Sequence, residues 1–91
     1  MNKDARFYFA NLGADIARCV AATERGDTQR YEDSLDRAYQ TLSHLRAAKR
    51  PEAYEEGTLL LSGLEIARRE KNLTNFSLAV NQLIAEYSSI E

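Results

Sequence analysis

Ninety-one residues, 44% hydrophobic and 29% charged, with one proline and four glycines, bound this chain to one small domain rich in helix, residues 1–91. The formal net charge of −2 speaks against a general nucleic-acid binder, which is normally basic, but leaves a local basic patch open. No run is long enough to cross a membrane, no signal-peptide core is evident, and the lone Cys19 has no internal disulfide partner. The expectation is a cytoplasmic protein with a reduced thiol and no membrane association.

The first helix is expected over about residues 3–24. Ala5, Phe9, Leu12, Ile16, Cys19 and Thr23 recur at steps of four and three, widened by Val20, and make its core stripe. The opposite face is Phe7, Ala10, Ala14, Ala17 and Ala21, where a solvent-facing helix usually carries charge. Small residues there let a second helix come close, although alanine is also the best helix former and harmless when exposed. Arg25-Gly26-Asp27 is a turn: Gly26 supplies a positive φ, and Asp27 or Thr28 caps the second helix.

The second helix is expected over about residues 28–48, with Tyr31, Leu35, Ala38, Leu42 and Leu45 inward. Asp33, Arg37, Gln40 and His44 form its solvated face. The third, about residues 51–71, starts at Pro51, whose missing N–H suits a first helical position, and ends where Asn72 can turn left-handed. Glu52, Glu55 and Glu56 early, and Arg68, Arg69 and Lys71 late, complement its dipole. Ala53, Gly57, Leu60, Leu64 and Ala67 are its core stripe, flanked by Leu61 and Tyr54. Leu59 and Ile66 lie far round the cylinder and form a second, smaller apolar face. A fourth helix, about residues 75–90, is capped by Thr74, with Leu78 placed to staple onto Leu73. Phe76, Val80, Leu83, Tyr87 and Ile90 are its stripe, with Ile84 beside it. Four such helices with short turns predict an all-α, antiparallel up-down-up-down four-helix bundle packed at about 20°. A helical hairpin pair that completes its core in a dimer is the alternative.

Reactive groups do not converge in the sequence. It holds no glycine-rich phosphate loop, no GxSxG and no HExxH. One His and one Cys do not supply a His/Cys metal site, and the core stripes carry no facing carboxylates. Cys19, on the core stripe, reads as a small buried hydrophobe, and Asp15 with Arg18 as a surface pair of small worth. Tyr31, Tyr54 and Tyr87 read as core or rim residues whose hydroxyls reach water. The expectation is therefore a non-enzyme with no catalytic residue, cofactor or metal. Two basic clusters are expected at the bundle ends: Lys3, Arg6, Arg46, Lys49 and Arg50 at one, and Arg25, Arg30, Arg68, Arg69 and Lys71 at the other. They read first as dipole-complementing charge and second as an anion or nucleic-acid site.

The segment AATERGDTQRYEDSLDRAYQTLSHL, Ala21 to Leu45, with ARREKNLTNFSLAVNQL, Ala67 to Leu83, resembles the FliS-type flagellar export chaperones over about half the chain. The shared features are a Gly-Asp turn and a following helix with Arg37-Ala38, Leu42 and Leu45. The chain carries Leu59-Leu60-Leu61-Ser62-Gly63-Leu64 where that family has a tyrosine-bearing motif. The resemblance implies a bundle whose apolar faces hold a disordered or helical segment of a partner, which in that family is flagellin.

The functional expectation is a non-catalytic protein-interaction module. It binds a partner helix or self-associates as a homodimer through Phe7, Ala10, Ala14, Ala17 and Ala21 of the first helix or Leu59 and Ile66 of the third. The alternative is a small anion- or nucleic-acid-binding accessory protein using the end clusters.

Overall fold

A computed structural model describes residues 4–88 of the chain, with side-chain burial through Ala85. The expectations placed on Lys3, on the Tyr87 side chain and on Ile90 lie outside the described residues. The chain forms α1 (Ala5–Glu24), α2 (Thr28–Ala47), α3 (Pro51–Arg69) and α4 (Leu73–Ser88), with no strand among the described residues. The fold is all-α, as the periodicity predicts.

Local chemistry sets the helix ends. The Phe7 N–H donates to the Asp4 carboxylate at 3.0 Å, so α1 is capped one residue inside its expected start. At the first turn Gly26 has φ +70°, and the Gly26 and Asp27 N–H groups donate to the Thr23 and Ala22 carbonyls at 3.0 and 2.9 Å. That is the paired arrangement of a left-handed helix stop. The Asp27 carboxylate then accepts from the Arg30 N–H at 3.0 Å and opens α2.

The turn between α3 and α4 repeats this geometry, with different residues in the roles the sequence suggested. Lys71, not Asn72, takes the left-handed conformation, at φ +58°. The Asn72 N–H reaches back to the Ala67 carbonyl at 2.8 Å, and the Asn72 carbonyl accepts from the Phe76 N–H at 3.3 Å. Helix α4 therefore begins at Leu73, with Asn72 rather than Thr74 in the cap position. The shifted start removes the expected staple: its partners would now be Lys71 and Phe76, and Leu78 is 64% exposed. Lys49, at φ +62°, also takes the left-handed conformation just past the end of α2 at Ala47.

The core is a continuous cluster drawn mainly from the expected stripes, joined by Ala22 and Leu73 from outside them, with Phe9, Leu12, Ile16, Leu45, Leu61 and Leu64 fully enclosed. Helix α2 runs in opposite order along both α1 and α3. Tyr8, Asp15 and Cys19 of α1 meet His44, Thr41 and Tyr31 of α2. Leu42, Tyr39 and Tyr31 of α2 meet Gly57, Glu65 and Arg68 of α3. Helix α4 lies against Gly13 of α1 through Ile84 and against Gly63 of α3 through Phe76. Among the described residues α1 touches the other three helices, while α2 and α4 do not meet.

The diagonal approach of α1 to α3 depends on Gly57. A Cβ there would stand 2.8 Å from a Leu42 methyl, 3.0 Å from one of Leu12 and 3.2 Å from one of Leu45. A bare backbone is what lets three helices close around that point. The bundle is 37 Å long, near the roughly 30 Å of a 20-residue helix plus its turns.

Candidate interaction surfaces

The sequence singled out two outer faces, and both keep exposed residues within the described part of the bundle. On α1, Ala10, Ala14 and Ala17 are exposed, Ala21 is half-buried, and Phe7 is 42% exposed. On α3, Leu59 is 65% and Ile66 47% exposed. The fold does not bring the two faces together. The α1–α3 contact runs through Leu12 and Gly57. At 100° per residue, Ala14 and Ala21 lie roughly 160–180° from Leu12, and Leu59 and Ile66 about as far from Gly57. The two faces therefore point away from each other on opposite sides of the bundle.

Beside the alanine face runs a groove between α1 and α2, lined by Arg18, Ala21, Arg25, Arg30 and Arg37, with Asp33 among them. Its floor continues past Asn11, Ala14, Asp15 and Thr41. Asp15 is the anchor of this groove. It is 2% exposed, where the sequence suggested a surface pair. The Thr41 hydroxyl donates to Oδ2 at 2.9 Å, and the half-exposed Arg18 guanidinium donates to Oδ1 at 3.0 Å. A buried carboxylate needs such donors, because an unpaired one costs several kcal/mol to bury. Ala22 is buried alongside it, another position off the core stripe that α2 covers.

Arg30 also pairs with Asp27 at 3.7 Å, while Arg25 and Arg37 have no ion-pair partner among the described residues. The basic cluster expected at this end of the bundle is thus divided. Arg25 and Arg30 join Arg18 and Arg37 in the α1/α2 groove. Arg68 and Arg69 line a separate groove on α2/α3 with Tyr31, Glu32, Leu35 and Glu65. Arg18 and Arg37 were absent from the expected clusters. Their signal was present as a seven-residue spacing in each helix, Arg18 with Arg25 and Arg30 with Arg37. At the other end, Arg6 lies 3.8 Å from Asp4 and Arg50 2.7 Å from Glu52, whose carboxyl is held below its usual range by the Arg50 hydrogen bond.

The α2/α3 groove is held by aromatic contacts. The Arg68 guanidinium stands 4.0 Å over the Tyr31 ring, and the Tyr39 hydroxyl donates to Glu65 at 3.1 Å. Tyr31 is buried, not at the rim, because α3 lays Arg68 across it. Burial raises the pKa of both tyrosines, with Arg68 opposing the rise at Tyr31 and the Glu65 hydrogen bond adding to it at Tyr39.

Cys19 is fully enclosed. Burial first, and the Asp15 charge second, push its thiol up to about 11, so the thiolate is disfavoured. His44 is exposed and stacks on Tyr8 at 5.3 Å between ring centroids. No group of three or more His, Cys, Asp or Glu placed to hold a metal occurs among the described residues, and none of their helices is long and apolar enough to cross a membrane. No protein-family model, curated protein or solved structure matches the chain.

Proposed function

We propose that the protein is a non-catalytic interaction module that uses the outer apolar faces of α1 and α3, chaperone-like or adaptor-like in character. The observation that carries this reading is the exposure of Phe7, Leu59 and Ile66 after the four-helix core has closed. Contiguous apolar surface outside a finished core is stabilised by a partner, at about 25 cal/mol per Å² buried before association costs. Opposite placement suits an adaptor, since two partners can bind without competing. Light scattering over a concentration series, alone and with captured partner, tests the reading. Ala14→Glu on α1 and Ile66→Glu on α3 should each remove association at its own face while far-UV helicity stays unchanged. Association that persists in both variants overturns it.

A second reading, a small accessory protein that binds an anion or nucleic acid, is favoured by Arg18, Arg25, Arg30 and Arg37 sharing one groove. Its signature is binding to RNA or DNA that weakens linearly in log–log plots against salt. Absence of binding at low salt removes it.

A further inference from the structure

The exposed face of α3 carries more information than its two large apolar residues. Glu55, Leu59, Ser62, Ile66 and Arg69 follow one another at steps of four, three, four and three, and all five are exposed. The stripe lies between the contacts that α3 makes with α2 and α4: Glu65 on one side reaches Tyr39 of α2, and Gly63 on the other packs against Phe76 of α4. In reverse order the same stripe is its own complement. Reversal about Ser62 sets Glu55 against Arg69, Leu59 against Ile66 within one residue, and Ser62 against itself. Charge falls on opposite charge at both ends and apolar on apolar between them, with a small residue at the centre where two backbones would approach most closely. Neither Glu55 nor Arg69 has an ion-pair partner within the chain among the described residues.

We infer that this face is a two-fold interface with a second copy of the chain, in which the α3 helices pack antiparallel with Ser62 on the axis. The inference rests on the interaction-module reading and names the occupant of its α3 face. An isologous dimer requires a self-complementary patch, and antiparallel reversal is the operation that makes this one self-complementary. A parallel arrangement would set Glu55 against Glu55 and Arg69 against Arg69. The mean step of 3.5 residues keeps the stripe facing its partner over the roughly 21 Å from Glu55 to Arg69, at a crossing near +20°. One helix pair buries less than the approximately 1,200 Å² of a standard interface, so the dimer is weak and exchanging. The alanine face of α1, on the opposite side of the bundle, takes no part in it.

The test uses the full chain in sedimentation equilibrium or light scattering, with helicity measured on every variant. Glu55→Arg and Arg69→Glu each turn two attractions into two repulsions per dimer and should raise the dissociation constant about tenfold or more. The double variant Glu55→Arg/Arg69→Glu restores both pairs in exchanged order and should return it to within about threefold of the starting value. In addition, Ser62→Cys should form a disulfide-linked dimer under mild oxidation, and Ser43→Cys on the outer side of α2 should not. A chain that stays monomeric to millimolar concentration overturns the inference and leaves the α1 half of the proposed function to stand on Ala14→Glu. A dimer abolished by Ile66→Glu but unrestored by the double swap also overturns it, because α3 would then associate in another register while the interaction-module reading survived.

Discussion

Thr41→Val probes the buried end of the arginine groove with almost no change of shape. The valine keeps the volume of threonine and removes the hydroxyl that donates to Asp15 Oδ2 at 2.9 Å. Asp15 stays 2% exposed and keeps the bond from Arg18, whose own side chain is about half in solvent and so stabilises it less. A hydrogen bond to a charged group contributes about 1.5–3 kcal/mol, and a buried acceptor left short of a donor loses that stabilisation without recovering it from water. Against this, the extra methyl returns a few tenths of a kcal/mol through apolar packing. The net expectation is a loss of about 2 kcal/mol, or roughly 8–16 °C in Tm for a domain of this size. Urea and thermal denaturation followed by circular dichroism measure it. The companion variant Asp15→Leu/Thr41→Val removes the carboxylate as well, and should return to near wild-type stability, because a buried charge and its partner can be replaced by apolar groups with little change. A Thr41→Val stability within about 0.5 kcal/mol of wild type would refute the dependence of the α1/α2 seam on this carboxylate.

Lys71→Gly should stabilise the fold by up to about 1 kcal/mol, because relief of left-handed strain exceeds the added unfolded-state entropy; Gly26→Ala, at φ +70°, should lose about 1 kcal/mol. Paired melts of the two variants check this, and the same sign in both would contradict the assigned turn geometry. The Cys19 thiol should resist alkylation in the native state at pH 8 and react on unfolding in urea. Because its folded pKa of about 11 lies above the ordinary 9.0, the unfolded chain releases the proton first as pH rises. This contribution is fully present below pH 9.0 and is lost through about 11, on the order of 2–3 kcal/mol, and Cys19→Ala should flatten that alkaline slope in urea titrations.

The core was legible because its signal is local. Stripes such as Phe9, Leu12 and Ile16, or Ala53, Gly57, Leu60 and Leu64, are fixed by 3.6-residue periodicity within one helix, and these residues are buried as expected. The outer faces were legible for the same reason: what lies opposite a core stripe stays outside unless another helix covers it, and Leu59, Ile66, Ala14 and Ala17 are exposed. The left-handed stop at Gly26 could be read because glycine announces it. The stops at Lys49 and Lys71 could not, because lysine carries no such preference and adopts the conformation only where the next helix demands it.

The sequence by itself determined four amphipathic segments and their inward stripes, since each depends on residues within a few turns of one another. Only the tertiary structure decided that Asp15 is buried, because its partner Thr41 lies 26 residues away on another helix. It likewise set Arg18 and Arg25 of α1 across from Arg30 and Arg37 of α2, and turned the two apolar faces to opposite sides. Those arrangements depend on how each helix is rotated against its neighbours, which packing at points such as Gly57 settles and which no single helix encodes.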